Sequence, residues 1–138
     1  MTITTTYEKL FDYALTAQRW IAKDAANKNT KLGYAIVNKM EPRVKKAAEG
    51  FNVRIEDLNI DHASVDEKGV LLIGEKGEFR YTKEELKKRN TAQRALQQET
   101  CEIEVYFATA LPEDLTEQEI ENFTGFVIKE GTAAAATE

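Results

Sequence analysis

The chain has 138 residues and a mass of 15.6 kDa, with 42% hydrophobic and 31% charged residues and a formal net charge of −5. That is one domain's worth of sequence, large enough to bury roughly 68–70% of its unfolded surface without disulfides or metals. The acidic balance argues against broad affinity for DNA, RNA or anionic membranes, and a single Cys and a single His exclude an internal disulfide and the usual Cys/His zinc sites within one chain.

The opening segment, Met1-Thr2-Ile3-Thr4-Thr5-Thr6, lacks the basic and apolar regions of a secretory signal. The longest unbroken apolar run, Val70-Leu71-Leu72-Ile73, falls far short of the roughly 20 residues of a membrane span. A cytoplasmic location and no membrane contact are expected. Tyr7, Leu10, Phe11, Ala14, Leu15, Ile21, Ala22 and Ala25 recur at helical steps, so a helix is expected over 7–28, capped by Thr5 or Thr6. After a turn at 27–30, a second apolar stripe runs through Ile36, Val37, Met40, Val44, Ala47, Ala48, Phe51, Ile55 and Leu58. Pro42 interrupts it, which predicts a kink near 38–41 or a new helix carrying Pro42 in its first turn.

Beyond His62 the pattern changes. Residues 63–69 are turn-rich, 70–73 read as a strand, Gly74-Glu75-Lys76-Gly77 as a hairpin loop, and 78–81 as its return. Thr82-Lys83-Glu84-Glu85 reads as a capping box opening a polar helix to about residue 98. Its few apolar residues, Leu86, Ala92, Ala95 and Leu96, leave it little to bury unless a partner covers it. Residues 101–108 alternate, with Cys101, Ile103, Val105 and Phe107 on one face and Glu102, Glu104 and Tyr106 on the other. Thr116-Glu117-Gln118-Glu119 is a second capping box, with Ile120, Phe123 and Val127 facing inward.

These elements predict an α+β fold: long antiparallel N-terminal helices, a small antiparallel sheet made of the hairpin and one strand, and two further helices. One domain is expected over 1–130, with a flexible tail over 131–138.

Chemistry-bearing constellations are sparse. Ser64 and His62, beside Asp61 and Asp66, lie too close together in sequence to converge as a triad. Cys101, on a core-facing position between acidic neighbours, reads as a packing cysteine. Glu102 and Glu104 share a strand face where a divalent cation would need outside ligands, and solvent explains them as well. The 74–77 loop lacks the spacing of a phosphate-binding loop. Tyr13, Trp20 and Tyr34 read as packing residues rather than a stacking surface.

Charge is uneven. Residues 99–138 hold ten acids and one base, Lys129, whereas 1–98 carry a surplus of base. Lys83, Lys87 and Arg94 lie near one face of the polar helix, with Arg80 and Tyr81 just upstream. This is the candidate ligand-binding patch, for a small anion such as a nucleotide or for an acidic segment of another chain.

Tyr34-Ala35-Ile36-Val37-Asn38-Lys39, the charged helix after it, Asp66-Glu67-Lys68-Gly69, Tyr81 before a Glu/Lys-rich helix, Glu102-Ile103-Glu104-Val105, and Leu111-Pro112 with Leu115-Thr116 follow one another in order. Over about residues 31–130 this order resembles short, mostly uncharacterised accessory proteins of tailed bacteriophages. The resemblance carries no active-site residues. It implies a non-enzymatic accessory protein of the host-cell cytoplasm that self-associates or binds a host or virion protein, with no cofactor or metal. The alternative is an oligomer that sequesters a small anionic ligand; the third reading is a small metal-dependent enzyme using Glu102 and Glu104.

Overall fold

In the computed structural model, which describes residues 1–131, the chain has an α+β fold that divides into two compact units. The first comprises Met1–Ala48 and the chain from Thr100 onward; the second is Glu49–Glu99. The residues expected to form one domain, 1–130, fall across these two units, which are described in turn. The tail expected over 131–138 lies, apart from Gly131, outside the described residues.

The first unit opens with strand β1 (Thr2–Thr6), antiparallel to β2 (Thr100–Glu104), with Ile3 opposite Ile103 and Thr5 opposite Cys101. β-Branched threonines suit a half-buried pleated surface, and Thr5 is buried. This corrects the expected sheet. The strand near Cys101 pairs with the N-terminus, not with the 70–81 hairpin, and it is shorter than the expected 101–108. Thr6 still caps the helix that follows, accepting from the Lys9 N–H at 3.2 Å.

Helix α1 (Tyr7–Lys23) presents Leu10, Tyr13, Ala17 and Trp20 to the core. It ends earlier than expected because Asp24 leaves helical geometry and caps a 3-10 turn, Ala25–Asn29, by accepting from Ala26 N–H. Thr30 then caps α2 (Lys31–Tyr34), accepting from Gly33 N–H at 2.9 Å. A Cβ on Gly33 would collide with the backbone of Asn27 and Lys28, so only glycine permits this approach.

A π-helical segment, Ala35–Met40, leads directly into α3 (Glu41–His62). Pro42 is the second residue of α3. It offers no N–H and crowds the carbonyl four residues back, and the widened turn moves that carbonyl aside. The Glu41 N–H bonds Ile36 O, five residues back. The distortion expected near 38–41 is therefore a π-turn, with Pro42 in the first turn of the next helix.

Helix α5 (Glu117–Phe123) closes the first unit. Phe123, Val127 and Ile128 are fully buried, the last two in a turn after the helix rather than on a continued one. The Tyr13 ring stacks on Phe126 at 4.6 Å and meets Phe123 edge-on at 5.9 Å; Trp20 meets Phe123 edge-on at 6.3 Å. This aromatic cluster is the core, and Tyr13 and Trp20 pack within it as the sequence suggests.

The second unit contains the later part of α3, a strap over 63–82, and α4 (Lys83–Gln97). Arg54 meets Glu99, Asn59 meets Arg89, and His62 meets Glu85. Partner numbers fall as α3 numbers rise, so this part of α3 and α4 run antiparallel. The strap turns at Gly69 and Gly77, whose positive φ of 79° and 77° favours glycine. The expected 70–81 hairpin is joined by the isolated bridge Ile73↔Phe79 and by bonds from Arg80 N–H to Leu72 O and from Gly74 N–H to Glu78 O, while Val65↔Leu71 bridges its first arm to the segment before it. A ladder gains stability from burying one face, and here Val70, Leu72 and Ile73 stay exposed.

Candidate functional site

The proposed ligand patch lies on the second unit. Arg80, Lys83, Lys87 and Arg94 are exposed, and Tyr81 is half-buried. Helix spacing places Lys83 and Lys87 one turn apart on a single face. Arg94 turns its guanidinium toward the Thr91 hydroxyl at 3.4 Å. Arg80 contributes backbone, donating to Leu72 O and accepting from Ser64 N–H. The shallow groove of this unit is lined by Arg54, Asp57, Leu58, Ala92, Ala95, Leu96 and Glu99, and contains none of these five.

What the polar helix does hold is its partner helix. Arg54 grips Glu99 with its two terminal guanidinium nitrogens, at 2.9 and 2.5 Å. Arg89 Nε donates to Asn59 Oδ1 at 2.6 Å, and the His62 ring lies 2.7 Å from Glu85 Oε2. The capping box expected at Thr82 is half formed. Thr82 Oγ1 accepts from Glu85 N–H, but the Glu85 carboxylate has turned to His62 and, at 3.6 Å, Lys88. The His62 hydrogen bond holds the Glu85 carboxyl below its ordinary value, with Lys88 adding to it. Arg54 does the same for Glu99. His62 is thus a helix-end tether whose partner lies 23 residues away, with Ser64 held by backbone bonds to Arg80 and Leu72.

The strongest surface signal is apolar. Val53, Ile60, Val65, Val70, Leu72, Ile73 and Leu86 are each at least 41% exposed, and all belong to the second unit. The buried hydrophobics of that unit are Phe51 and Leu96.

Two grooves stand out among the described residues of the first unit. One, of about 350 Å³, is lined by Asn29, Thr30, Lys31, Tyr34, Tyr106, Ala108 and Thr109. Tyr34 and Tyr106 meet edge-on at 6.5 Å, and the Lys39 ammonium sits 5.8 and 5.5 Å from their ring centres. Sequence spacing gave no hint of this meeting, since Tyr34 and Tyr106 come from distant segments. Tyr34, read as packing, is 47% exposed. The second groove, of about 370 Å³, lies along α1 and has mostly apolar walls.

Cys101 is half-buried opposite Thr5, and burial pushes its thiol up, away from the nucleophilic thiolate. Glu102 and Glu104 are exposed and face Thr4 and Thr2 across the sheet. Among the described residues no cluster of three or more His, Cys, Asp or Glu side chains could hold a metal, and no helix is long and apolar enough to cross a membrane. No protein-family model, curated protein or solved structure matches the chain.

Proposed function

We propose that this chain acts by association, using the exposed aliphatic strap of its second unit, and that the first partner to bind there is a second copy of itself. The carrying observation is the exposure of Val65, Val70, Leu72 and Ile73 along one short segment, together with that of Leu86 on α4. Charge supports a second copy as the occupant. Lys83 and Lys87 on α4, and Glu117 and Glu121 on α5, form no ion pairs among the described residues, so one chain offers both halves of a complementary pairing. The same surface suits the host or virion protein that the resemblance to phage accessory proteins implies, and a non-enzymatic role in the host cytoplasm follows from that reading.

Sedimentation velocity tests it. The wild type should exceed the mass of one 15.6 kDa chain at micromolar concentration, and Leu72→Glu with Ile73→Glu should return it to that mass. Lys87→Glu with Arg94→Glu should also weaken the oligomer, and Glu117→Lys with Glu121→Lys should partly restore it. A wild type that sediments as one chain at every concentration contradicts the proposal.

A second reading, capture of a small anionic ligand, is favoured by the tyrosine-walled groove of the first unit. There a planar base would stack on Tyr34 or Tyr106 and a phosphate would meet Lys31. Binding of a nucleoside monophosphate, weakened by salt and lost in Tyr106→Ala, is its test.

A further inference from the structure

The groove along α1 combines two features that neither packing nor association explains. Its walls are Ala14, Ala17 and Ile21 of α1 and Ile36, Val37 and Val44 across from them. Gln18, Glu41 and Lys45 are exposed at its rim. Its volume of about 370 Å³ falls in the range of small-molecule sites. Tyr13 also lines it, only 2% exposed, and its hydroxyl has no hydrogen-bond partner among the described residues.

A buried hydroxyl without a partner is costly, and most buried polar atoms in folded proteins find one. The rest of the ring is well placed, stacked on Phe126 and edge-on to Phe123, so the side chain is held by its aromatic part and the oxygen is left over. The widened π-turn supplies the facing wall. It sets the successive residues Ile36 and Val37 on the same groove, and such turns recur at binding sites.

We propose that this groove binds a small neutral molecule, apolar in body, whose carbonyl oxygen accepts a hydrogen bond from the Tyr13 hydroxyl once the wall side chains part, because that oxygen is closed to solvent in the groove as it stands. The apolar walls select the body. The rim carries one acid and one base, so it favours neither an anion nor a cation. Burial pushes the Tyr13 phenol far above its ordinary value, which keeps its proton in place to donate. This inference is independent of the association surface, since every residue it uses belongs to the first unit.

The test is an NMR titration of the full chain, following the methyl groups of Ile36, Val37 and Val44. The probes are 2-acetonaphthone and its hydrocarbon isostere 2-isopropenylnaphthalene. The ketone should bind about tenfold more tightly than the hydrocarbon, the worth of one well-made hydrogen bond. Tyr13→Phe should erase that preference while melting at the same temperature as the wild type or higher, because it deletes an unpaired polar atom. Ala14→Leu, which fills the groove from a half-buried wall position, should abolish binding of both probes. No methyl shift with either probe, equal affinity for the two in the wild type, or a preference that survives Tyr13→Phe would overturn the proposal. So would a large loss of stability in Tyr13→Phe, which would show that the hydroxyl already has a partner.

Discussion

Leu10, Tyr13, Phe123, Val127 and Ile128 of the first unit are almost wholly shut off from solvent, whereas Val65, Val70, Leu72 and Ile73 of the second are at least 41% exposed. The two units are joined in one chain and held together by different physics. The first rests on an aromatic core, the second on polar links between antiparallel helices. Hydrophobic burial is the dominant favourable contribution to folding, whereas exposed ion pairs contribute little. The second unit should therefore be the less stable, a deficit that the proposed association would offset.

The sharpest way to break this contrast is to compare equivalent truncations. Phe123→Ala removes a fully buried ring and should cost about 3–5 kcal/mol. Leu72→Ala removes an exposed side chain and should cost the isolated chain less than about 0.5 kcal/mol. Urea denaturation of both variants below the association threshold measures the difference.

A second test concerns the most buried carboxylate of the first unit. Glu119 accepts from Thr116 N–H at 2.9 Å while Thr116 Oγ1 accepts from Glu119 N–H, the full capping box expected there. Its other oxygen receives the Lys23 ammonium at 2.9 Å, joining the end of α1 to the start of α5. Burial pushes its carboxyl up, but the Thr116 backbone N–H and then Lys23 outweigh that and hold it below its ordinary value. Glu119→Ala should cost about 1–2 kcal/mol, as loss of a helix cap does, and thermal melting would show it.

Smaller effects should sharpen the account of the second unit. Glu85 and Glu99 both have folded-state pKa values below the ordinary 4.5. Their stabilising contribution is therefore complete above the unfolded value and lost as pH falls through the lowered folded ones. Hydrogen exchange of α4 should accelerate as pH is taken down through that window, after correction for the intrinsic rate. Glu85→Gln with Glu99→Gln should flatten the dependence in α4 while leaving that of α5, which Glu119 governs. Least of all, Cys101→Ser should lower stability by about 1 kcal/mol and leave binding intact, as expected for a small core change.

Helix starts and their caps were largely legible in the sequence, and the ends of α1 and α5 were not. Thr6, Thr82 and Thr116 cap the helices they were expected to cap, and Pro42 marks the distortion before α3. The N-terminal strand was not legible, because Thr2–Thr6 is short and its pairing with Thr100–Glu104 spans nearly the whole chain. Local periodicity carries no information about such a partner. The Glu85 side chain misled for a related reason: its capping role lost to His62, which only tertiary structure brings near. Neither groove of the first unit could be read either, since Tyr34 meets Tyr106, and α1 faces the π-turn, across long separations. The excess of polar residues on α4 did show that this helix has little to bury of its own, and Leu96 is its one buried residue.

The account turns on whether a second copy covers the strap of the second unit. Amide hydrogen exchange, read segment by segment from low to high micromolar concentration, tests that most directly. Exchange over 63–81 and the start of α4 should slow as concentration rises, while the strands β1 and β2 and the core-facing amides of α1 stay unchanged. Exchange over 63–81 that is the same at every concentration would contradict it.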